Sequence, residues 1–104
     1  MSRAPRPVYE VIIHPKAEDD LRRLPPSEAC RVLRSALDLG DDPFPGGKKV
    51  KRLAGVRPVT HRLRVGDYRA LYRVHEATRR VFLLRVVTRG DLSRAIARLP
   101  RTPP

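Results

Sequence analysis

The stretch HRLRVGDYRALYRV, residues 61–74, alternates apolar and polar side chains on both sides of a Gly-Asp pair. A period of two is the pattern of a half-buried β-strand, because successive side chains point to opposite faces of a sheet. Gly66 and Asp67 suit a two-residue turn, in which glycine supplies the positive φ that a tight hairpin requires. The stretch therefore predicts a β-hairpin with one apolar face and one arginine face. The arginine face carries Arg62, Arg64, Arg69 and Arg73.

The residues before the hairpin predict one strand and two helices. The apolar, β-branched run at 8–14 is typical of a well-covered strand. Pro15 suits the first turn of a helix, where its missing N–H would have no partner. A second helix is predicted over 27–40, because its apolar residues repeat with helical spacing and Gly40 is placed to cap its end.

The residues after the second helix predict a loop, the hairpin, one more strand and a short helix. Residues 41–58 are rich in proline and glycine and predict a long loop within the domain. A strand is predicted over 80–89 and a short helix over 91–98. The predicted fold is α+β: an N-terminal strand and a two-helix hairpin precede a three-stranded antiparallel meander. We expect these strands to form one sheet with the helices on one face.

The length of 104 residues is sufficient for one domain with a modest core. We therefore expect a single domain over residues 1–104. Its packed core is predicted at about residues 8–95, with flexible ends at 1–7 and 99–104.

Charge is distributed unevenly along the chain. The sequence holds 23 Lys and Arg against 11 Asp and Glu, for a net charge of +12. Residues 1–47 carry seven basic and eight acidic side chains, whereas residues 48–104 carry sixteen basic and three acidic ones. Such asymmetry indicates a polyanionic partner, with nucleic acid as the leading candidate.

The arginine face extends beyond the hairpin, because alternation in the last strand adds Arg85 and Arg89 to it. Six guanidinium groups on neighbouring strands repel one another, so an anion that bridges them would be stabilising. Arginine also suits phosphate, because its planar fork can bind two oxygens at once. A basic segment is expected at the edge of this face. It contains Lys48, Lys49, Lys51 and Arg52.

Other chemistry has little support in the sequence. The three histidines lack metal-ligand spacing, and no glycine-rich phosphate motif occurs, so we expect neither a metal nor a small-molecule cofactor. Cys30 is the only cysteine; it predicts a small core residue of the second helix and a reducing compartment. No apolar run suits a signal peptide or a membrane helix. We therefore expect a cytoplasmic protein without a membrane partner.

The order of these motifs resembles the RelE/ParE superfamily of bacterial toxins. VIIHPKAEDDLRRLP (11–25) is followed by a second helix, by DPFPGGKKVKRLAG (42–55), by the hairpin and by VFLLRVVTRGDLSRA (81–95). The basic KKVKRLAG before RLRVGDYRALYRV looks like the RelE branch. Toxins of that branch are ribosome-dependent endoribonucleases that cut mRNA and are neutralised by an antitoxin. The resemblance thus implies a cognate antitoxin, the ribosome and mRNA as partners.

The resemblance also implies roles for particular residues. It implies attack of a ribose 2′-hydroxyl on the adjacent phosphate, with four arginines holding the phosphate and stabilising charge. Related chains commonly read HRRDVY after the last strand, where this chain reads TRGDLS (88–93). Ser93 stands at the position of the tyrosine and is the candidate for acid or base assistance. The four arginines are Arg62, Arg64, Arg69 and Arg89.

Contacts to RNA or the ribosome are expected from six further basic residues. These are Lys48, Lys49, Lys51, Arg52, Arg73 and Arg85. Two alternatives stay open. A ParE-like toxin would poison DNA gyrase without cleaving RNA, and the absence of histidine at Thr88 and of tyrosine at Ser93 favours it. A catalytically weakened homologue would still bind RNA or its antitoxin.

Overall fold

The computed structural model describes residues 8–46 and 49–100, which run through one strand, two helices, four further strands and a final helix. The predicted flexible end at 1–7, Lys48 and residues 101–104 lie outside these ranges. The elements are β1 (Glu10–Ile13), α1 (Pro15–Arg22), α2 (Pro26–Leu37), a 3₁₀ turn (Asp38–Gly40), β2 (Val50–Arg52), β3 (His61–Val65), β4 (Tyr68–His75), β5 (Arg80–Thr88), a second 3₁₀ turn (Arg89–Asp91) and α3 (Leu92–Ala97).

The strands form one five-stranded mixed sheet in the order β1-β5-β4-β3-β2. β1 runs parallel to β5, whereas the β3, β4 and β5 meander is antiparallel, as the sequence predicted. The prediction of an unbroken loop over 41–58 is wrong, because β2 lies within it and pairs with β3. Three residues are too few to show a period of two, and the proline and glycine around them hide the strand.

The helices α1 and α2 cover one face of the sheet. Val32 and Ala36 of α2 are fully buried against this face, together with Ala17 of α1. Tyr72 of β4 is also fully buried, and its hydroxyl donates to the carbonyl oxygen of Pro43 at 2.6 Å. Burial raises the pKa of the Tyr72 hydroxyl, so this group stays a hydrogen-bond donor at any ordinary pH. This face holds the larger part of the core.

The opposite face is covered by α3. Leu71 of β4 and Val87 of β5 form a second, smaller core there with Ala95 of α3. The prediction that the helices lie on one face is therefore wrong for α3. Alternation places Leu71 and Val87 on the arginine face, and these apolar side chains need cover from water. Leu99, which follows α3, also packs against this cluster.

A register shift in the pairing of β4 with β5 moves side chains between the two faces. Leu71 pairs with Arg85 and Tyr72 with Leu83, which leaves Leu84 as the extra residue. Val81 and Leu83 therefore pack with the α1 and α2 side of the sheet. Strict alternation predicts that they share a face with Arg85. This prediction is wrong because alternation does not reveal a β-bulge.

Asp20 of α1 closes the edge of the sheet beyond the end of β1. Its Oδ2 accepts from Arg85 Nε and from the backbone N–H of Val86, both at 2.8 Å, and its Oδ1 accepts from Arg85 Nη2 at 3.2 Å. An edge strand otherwise presents unpaired N–H groups. One carboxylate thus joins α1 to β5 by a charged pair and a backbone bond.

Two predictions for α2 do not hold. The helix ends at Leu37 and continues as a 3₁₀ turn, so Gly40 is not its cap. Gly40 is instead buried and accepts a hydrogen bond from the backbone N–H of Tyr9 at 2.8 Å. Cys30 is exposed rather than buried, because the sheet is contacted by the side of α2 that carries Val32 and Ala36.

His61 makes stability depend on pH. Its ring is almost fully buried against Tyr72, with the ring centroids 5.3 Å apart, and burial first and the charge of Arg52 second lower its pKa from 6.5. A lowered pKa keeps the ring neutral, so its stabilising contribution is present above about pH 6.5 and is lost as the pH falls through the lowered value. We expect the urea midpoint to decrease below pH 6.5, and His61→Phe to flatten this decrease. An equal decrease in the variant would assign it to other groups.

Candidate functional site

Four arginines meet where the β3–β4 hairpin approaches the end of β5. Arg62 and Arg64 lie on β3, Arg69 lies on β4, and Arg89 follows β5. Arg64 is directly opposite Arg69 in the sheet register. Like charges in this position are destabilising unless an anion or solvent compensates for them. We call these four residues the arginine cluster.

Arg69 is the buried member of the arginine cluster. It is 7% exposed, and its Nη1 donates to the carbonyl oxygens of Gly66 and Tyr68, both at 2.9 Å. Burial lowers the pKa of Arg69, and the charges of the other three cluster arginines lower it further, while Asp67 acts in the opposite direction. The guanidinium nevertheless stays charged, because arginine does not lose its proton in proteins. The charges of Arg62, Arg64 and Arg89 are therefore close enough to Arg69 to repel its guanidinium.

Arg62 carries an unpaired donor. Its Nη1 is buried and has no hydrogen-bond partner among residues 8–46 and 49–100. On the same sheet face its cross-strand partner from β2 is Lys51, a second cation. A buried charged donor without an acceptor costs free energy.

A pocket of about 440 Å³ lies beside the Gly66–Asp67 turn. We call it the turn pocket. Of the residues that the structure describes, five cations and one carboxylate, Asp67, line it. Its excess of positive charge suits a phosphate group. The cations are Arg31, Lys49, Arg64, Arg69 and Arg89, and the remaining residues are Ser35, Val65, Gly66 and Asp67.

The basic segment before the hairpin divides between the two faces of the sheet. Lys49 lines the turn pocket, and its carbonyl oxygen accepts from the backbone N–H of Arg64 at 2.8 Å. Lys51 lies opposite Arg62, whereas Arg52 lies opposite His61 and therefore on the other face. Lys48 lies outside the described residues. Lys49 and Lys51 thus share the face of the arginine cluster and Arg52 does not.

Two predicted contact residues make intramolecular bonds away from the turn pocket. Arg73 is 7% exposed; its Nε donates to Thr60 Oγ1 and its Nη1 to the carbonyl oxygen of Pro100, both at 3.0 Å. Arg85 forms the ion pair with Asp20, which raises its pKa. Arg73 and Arg85 keep the sheet face that alternation predicts, beside Leu71, but their guanidinium groups are bound within the protein, and their contacts to RNA or the ribosome stay predictions. Period-two alternation does not reveal which arginines the fold pairs internally.

The segment after β5 separates Arg89 from Ser93. Arg89 lines the turn pocket, whereas Ser93 is exposed on α3 and does not line it. Thr88 donates through its hydroxyl to the Asp91 carboxylate at 3.2 Å. Ser93 is thus not placed among the cluster, and its role in proton transfer stays a prediction.

The helix α2 supplies two pocket residues that the sequence analysis did not identify. Arg31 and Ser35 are one helical turn apart and both line the turn pocket. Nothing in their local pattern distinguishes them from ordinary exposed positions of an amphipathic helix. Only the packing of α2 against β3 brings them to the hairpin.

The described part of the chain contains neither a cluster of metal-ligating side chains nor a helix that could span a membrane. No group of three or more His, Cys, Asp or Glu side chains among residues 8–46 and 49–100 is placed to hold a metal ion. The same residues include no helix of the length and apolarity that crossing a membrane requires.

The sequence of this chain is similar to those of bacterial toxins. Residues 11–92 match the family described as the ParE toxin of the type II toxin–antitoxin system parDE. The toxin RelG of Mycobacterium tuberculosis is 39% identical over 88 residues, which cover 83% of this chain and 97% of RelG. The family match spans most of the chain.

Solved toxin–antitoxin complexes contain chains with the same fold. The archaeal RelE–RelB complex of Pyrococcus horikoshii matches with a TM-score of 0.68 and 32% identity, covering 80% of this chain and 97% of the matched chain. The RelBE2 complex of Mycobacterium tuberculosis matches with a TM-score of 0.63 and 35% identity, covering 78% and 98% respectively. On this sequence and structural similarity, the chain belongs to the RelE/ParE superfamily and is the toxin of a type II toxin–antitoxin system.

Proposed function

We propose that this toxin is a ribosome-dependent endoribonuclease that cleaves mRNA and so inhibits translation. The observation that carries the proposal is the arginine cluster, in which three like charges act on Arg69 beside a pocket lined by cations. A phosphodiester bound there would relieve the repulsion. The RelE relatives and the net charge of +12 support an RNA substrate.

The proposed reaction is an internal phosphoryl transfer. The ribose 2′-oxygen attacks the adjacent phosphorus and forms a new P–O bond, while the bond to the 5′-oxygen breaks. The 2′-hydroxyl loses its proton and the departing 5′-oxygen gains one, leaving a cyclic phosphate and a 5′-hydroxyl. Negative charge grows on the non-bridging oxygens, where Arg62, Arg64, Arg69 and Arg89 would stabilise it.

Among the described residues, the site has no evident general acid or base, which supports the proposal that cleavage depends on the ribosome. Arginines cannot accept the proton, and Ser93 does not line the turn pocket. Catalysis must then rely on charge stabilisation and on alignment of the 2′-hydroxyl with the phosphate. Alignment alone can contribute many orders of magnitude, and a strand held by a ribosome is already ordered. Lys49 and Lys51 would add contacts to the RNA or ribosome, and the same role for Lys48 stays a prediction.

We further propose that a cognate antitoxin neutralises this toxin in the cytoplasm. The solved relatives from Pyrococcus horikoshii and Mycobacterium tuberculosis are complexes of a toxin with its antitoxin. Coexpression with a neighbouring short reading frame should restore growth that the toxin alone arrests.

Primer extension on mRNA after induction of the toxin tests the proposed activity. We expect new 5′ ends within translated regions and none in the same RNA when translation initiation is blocked. Replacing Arg62, Arg69 and Arg89 together with alanine should remove these ends. Cuts that persist in the triple variant would contradict the site assignment, and growth arrest without cuts would contradict the reaction.

Gyrase poisoning is the second candidate, because the family that matches residues 11–92 is described as ParE. A supercoiling assay with purified gyrase separates the two functions. We expect no inhibition by this toxin. Inhibition of gyrase without RNA cleavage would replace the proposal by the ParE-like function.

A further inference from the structure

Gly66 brings α2 into contact with the hairpin turn. Its φ is +58°, the conformation that a tight turn needs. A Cβ at this position would lie 2.6 Å from Arg31 Nη2, 3.1 Å from Cζ and 3.2 Å from Nη1. The guanidinium group of Arg31 therefore rests on the Gly66 backbone, in space that any side chain would occupy. Glycine is therefore required here for two reasons: the positive φ of the turn and the space that the Arg31 guanidinium occupies.

Arg31 forms only a weak ion pair within the described part of the protein. Its ion pair with Glu28 spans 3.4 Å, and the side chains of Arg31 and Glu28 are 56% and 37% exposed. Pairs of this kind contribute little to stability. Ser35 follows one helical turn later and lines the same pocket, so α2 presents a cation and a hydroxyl on one side. Both groups are donors that suit a phosphate oxygen.

The turn pocket joins this side of α2 to the arginine cluster. Arg31 and Ser35 share it with Arg64, Arg69 and Arg89. An RNA strand whose scissile phosphate lies on the cluster would therefore pass α2 with a neighbouring phosphate. The pocket lining has a net positive charge and attracts the phosphates of the strand. This attraction favours a path along the pocket over one that leads away from it.

We propose that Arg31, held over Gly66 and assisted by Ser35, binds a second phosphate of the RNA strand beside the arginine cluster. The inference rests on the proposed function, because it takes the ligand to be RNA. Arg31 is then a binding residue of the substrate strand, and α2 is part of the RNA-binding surface.

Binding of a short 2′-O-methyl RNA oligonucleotide to the purified toxin tests this proposal. This probe retains the phosphates but lacks the attacking hydroxyl, so fluorescence anisotropy measures affinity without cleavage. We expect Arg31→Gln to weaken binding about threefold to tenfold. The slope of log affinity against log salt should become shallower by about 0.7, the value for one phosphate contact to a single strand.

Arg34→Gln is the matched control. Arg34 lies on the same helix, is also exposed and does not line the turn pocket. We expect the salt slope of this variant to equal that of the unsubstituted toxin. An equal change in both variants would indicate a general effect of net charge and would overturn the inference.

Gly66→Asn provides an independent test of the contact. Asparagine tolerates a positive φ better than most residues, so the turn should persist while the new Cβ displaces the Arg31 guanidinium. The variant should bind RNA as weakly as Arg31→Gln, and the double variant should be no weaker than either. Circular dichroism verifies that both are folded. Additive losses would show that Gly66 and Arg31 act separately and would overturn the proposed geometry.

The outcomes separate this inference from the proposed function. Cleavage by the unsubstituted toxin together with an unchanged salt slope for Arg31→Gln overturns the second phosphate site alone. A shallower slope for Arg31→Gln in a toxin that cuts no mRNA overturns the proposed activity and supports the binding site. An Arg31→Gln variant that loses affinity for its antitoxin but not for RNA assigns the residue to the other partner and overturns the inference.

Discussion

Replacement of Arg69 with alanine is expected to slow mRNA cleavage by about 100-fold to 1,000-fold, the loss typical for removal of one preorganised donor to a developing negative charge. Arg69 is the most buried cluster arginine, and two backbone carbonyls of the hairpin turn hold its Nη1. Its guanidinium is therefore held in place by the hairpin itself. The measurement is the initial rate of cleavage of a defined mRNA on purified ribosomes.

Two further variants decide whether the Arg69 effect belongs to the site. Arg69→Lys retains the charge but not the planar fork, so we expect it to recover only a small part of the rate. Arg80→Ala removes an exposed arginine from the opposite end of β5, where it pairs loosely with Glu10 at 3.4 Å. That control should cleave at the parent rate. Comparable losses in Arg69→Ala and Arg80→Ala would contradict a specific role for Arg69.

Replacement of Asp20 with alanine is expected to destabilise the fold by about 2–4 kcal/mol, somewhat less than the loss of one partner from a fully buried ion pair. Asp20 and Arg85 are only 10% and 23% exposed. The change leaves a poorly solvated guanidinium without its carboxylate and the N–H of Val86 without an acceptor. Urea denaturation followed by circular dichroism measures the change in the free energy of unfolding.

Asp19→Ala is the matched control for Asp20→Ala. Asp19 is the adjacent residue of the same helix, and its ion pair with Arg22 is exposed to solvent. We expect that variant to change stability by less than about 1 kcal/mol. Adding Arg85→Met to Asp20→Ala should recover part of the loss, because an apolar side chain replaces the unpaired charge. Equal destabilisation by both aspartate variants would refute the bridge between α1 and β5.

The sequence was sufficient for the parts of the fold that local physics specifies. The hairpin of residues 61–74 was predicted from alternation and from Gly66, and Tyr68–His75 forms the second strand as expected. The N-terminal strand, α1 and α2 followed from apolar periodicity and proline positions. Strong periodic signals survive in the tertiary structure because they already encode which face is buried.

The composition of the candidate site was predicted in part. The sequence placed Arg62, Arg64, Arg69 and Arg89 in one set, and the structure brings these four together. Alternation could not show that Asp20 pairs with Arg85, because their separation along the chain leaves no trace in a local pattern. The same limit applies to Arg73, whose partners Thr60 and Pro100 are distant in sequence.

The sequence by itself determined the hairpin, the meander, the basic half of the chain and the family. Only the tertiary structure decided which arginines are bound within the fold, which face α3 covers, and that Arg31 of α2 reaches Gly66. The physical reason is the separation along the chain over which each kind of interaction acts. Backbone propensity and side-chain alternation act over a few residues, whereas charge pairing and close packing join groups that are neighbours only after folding.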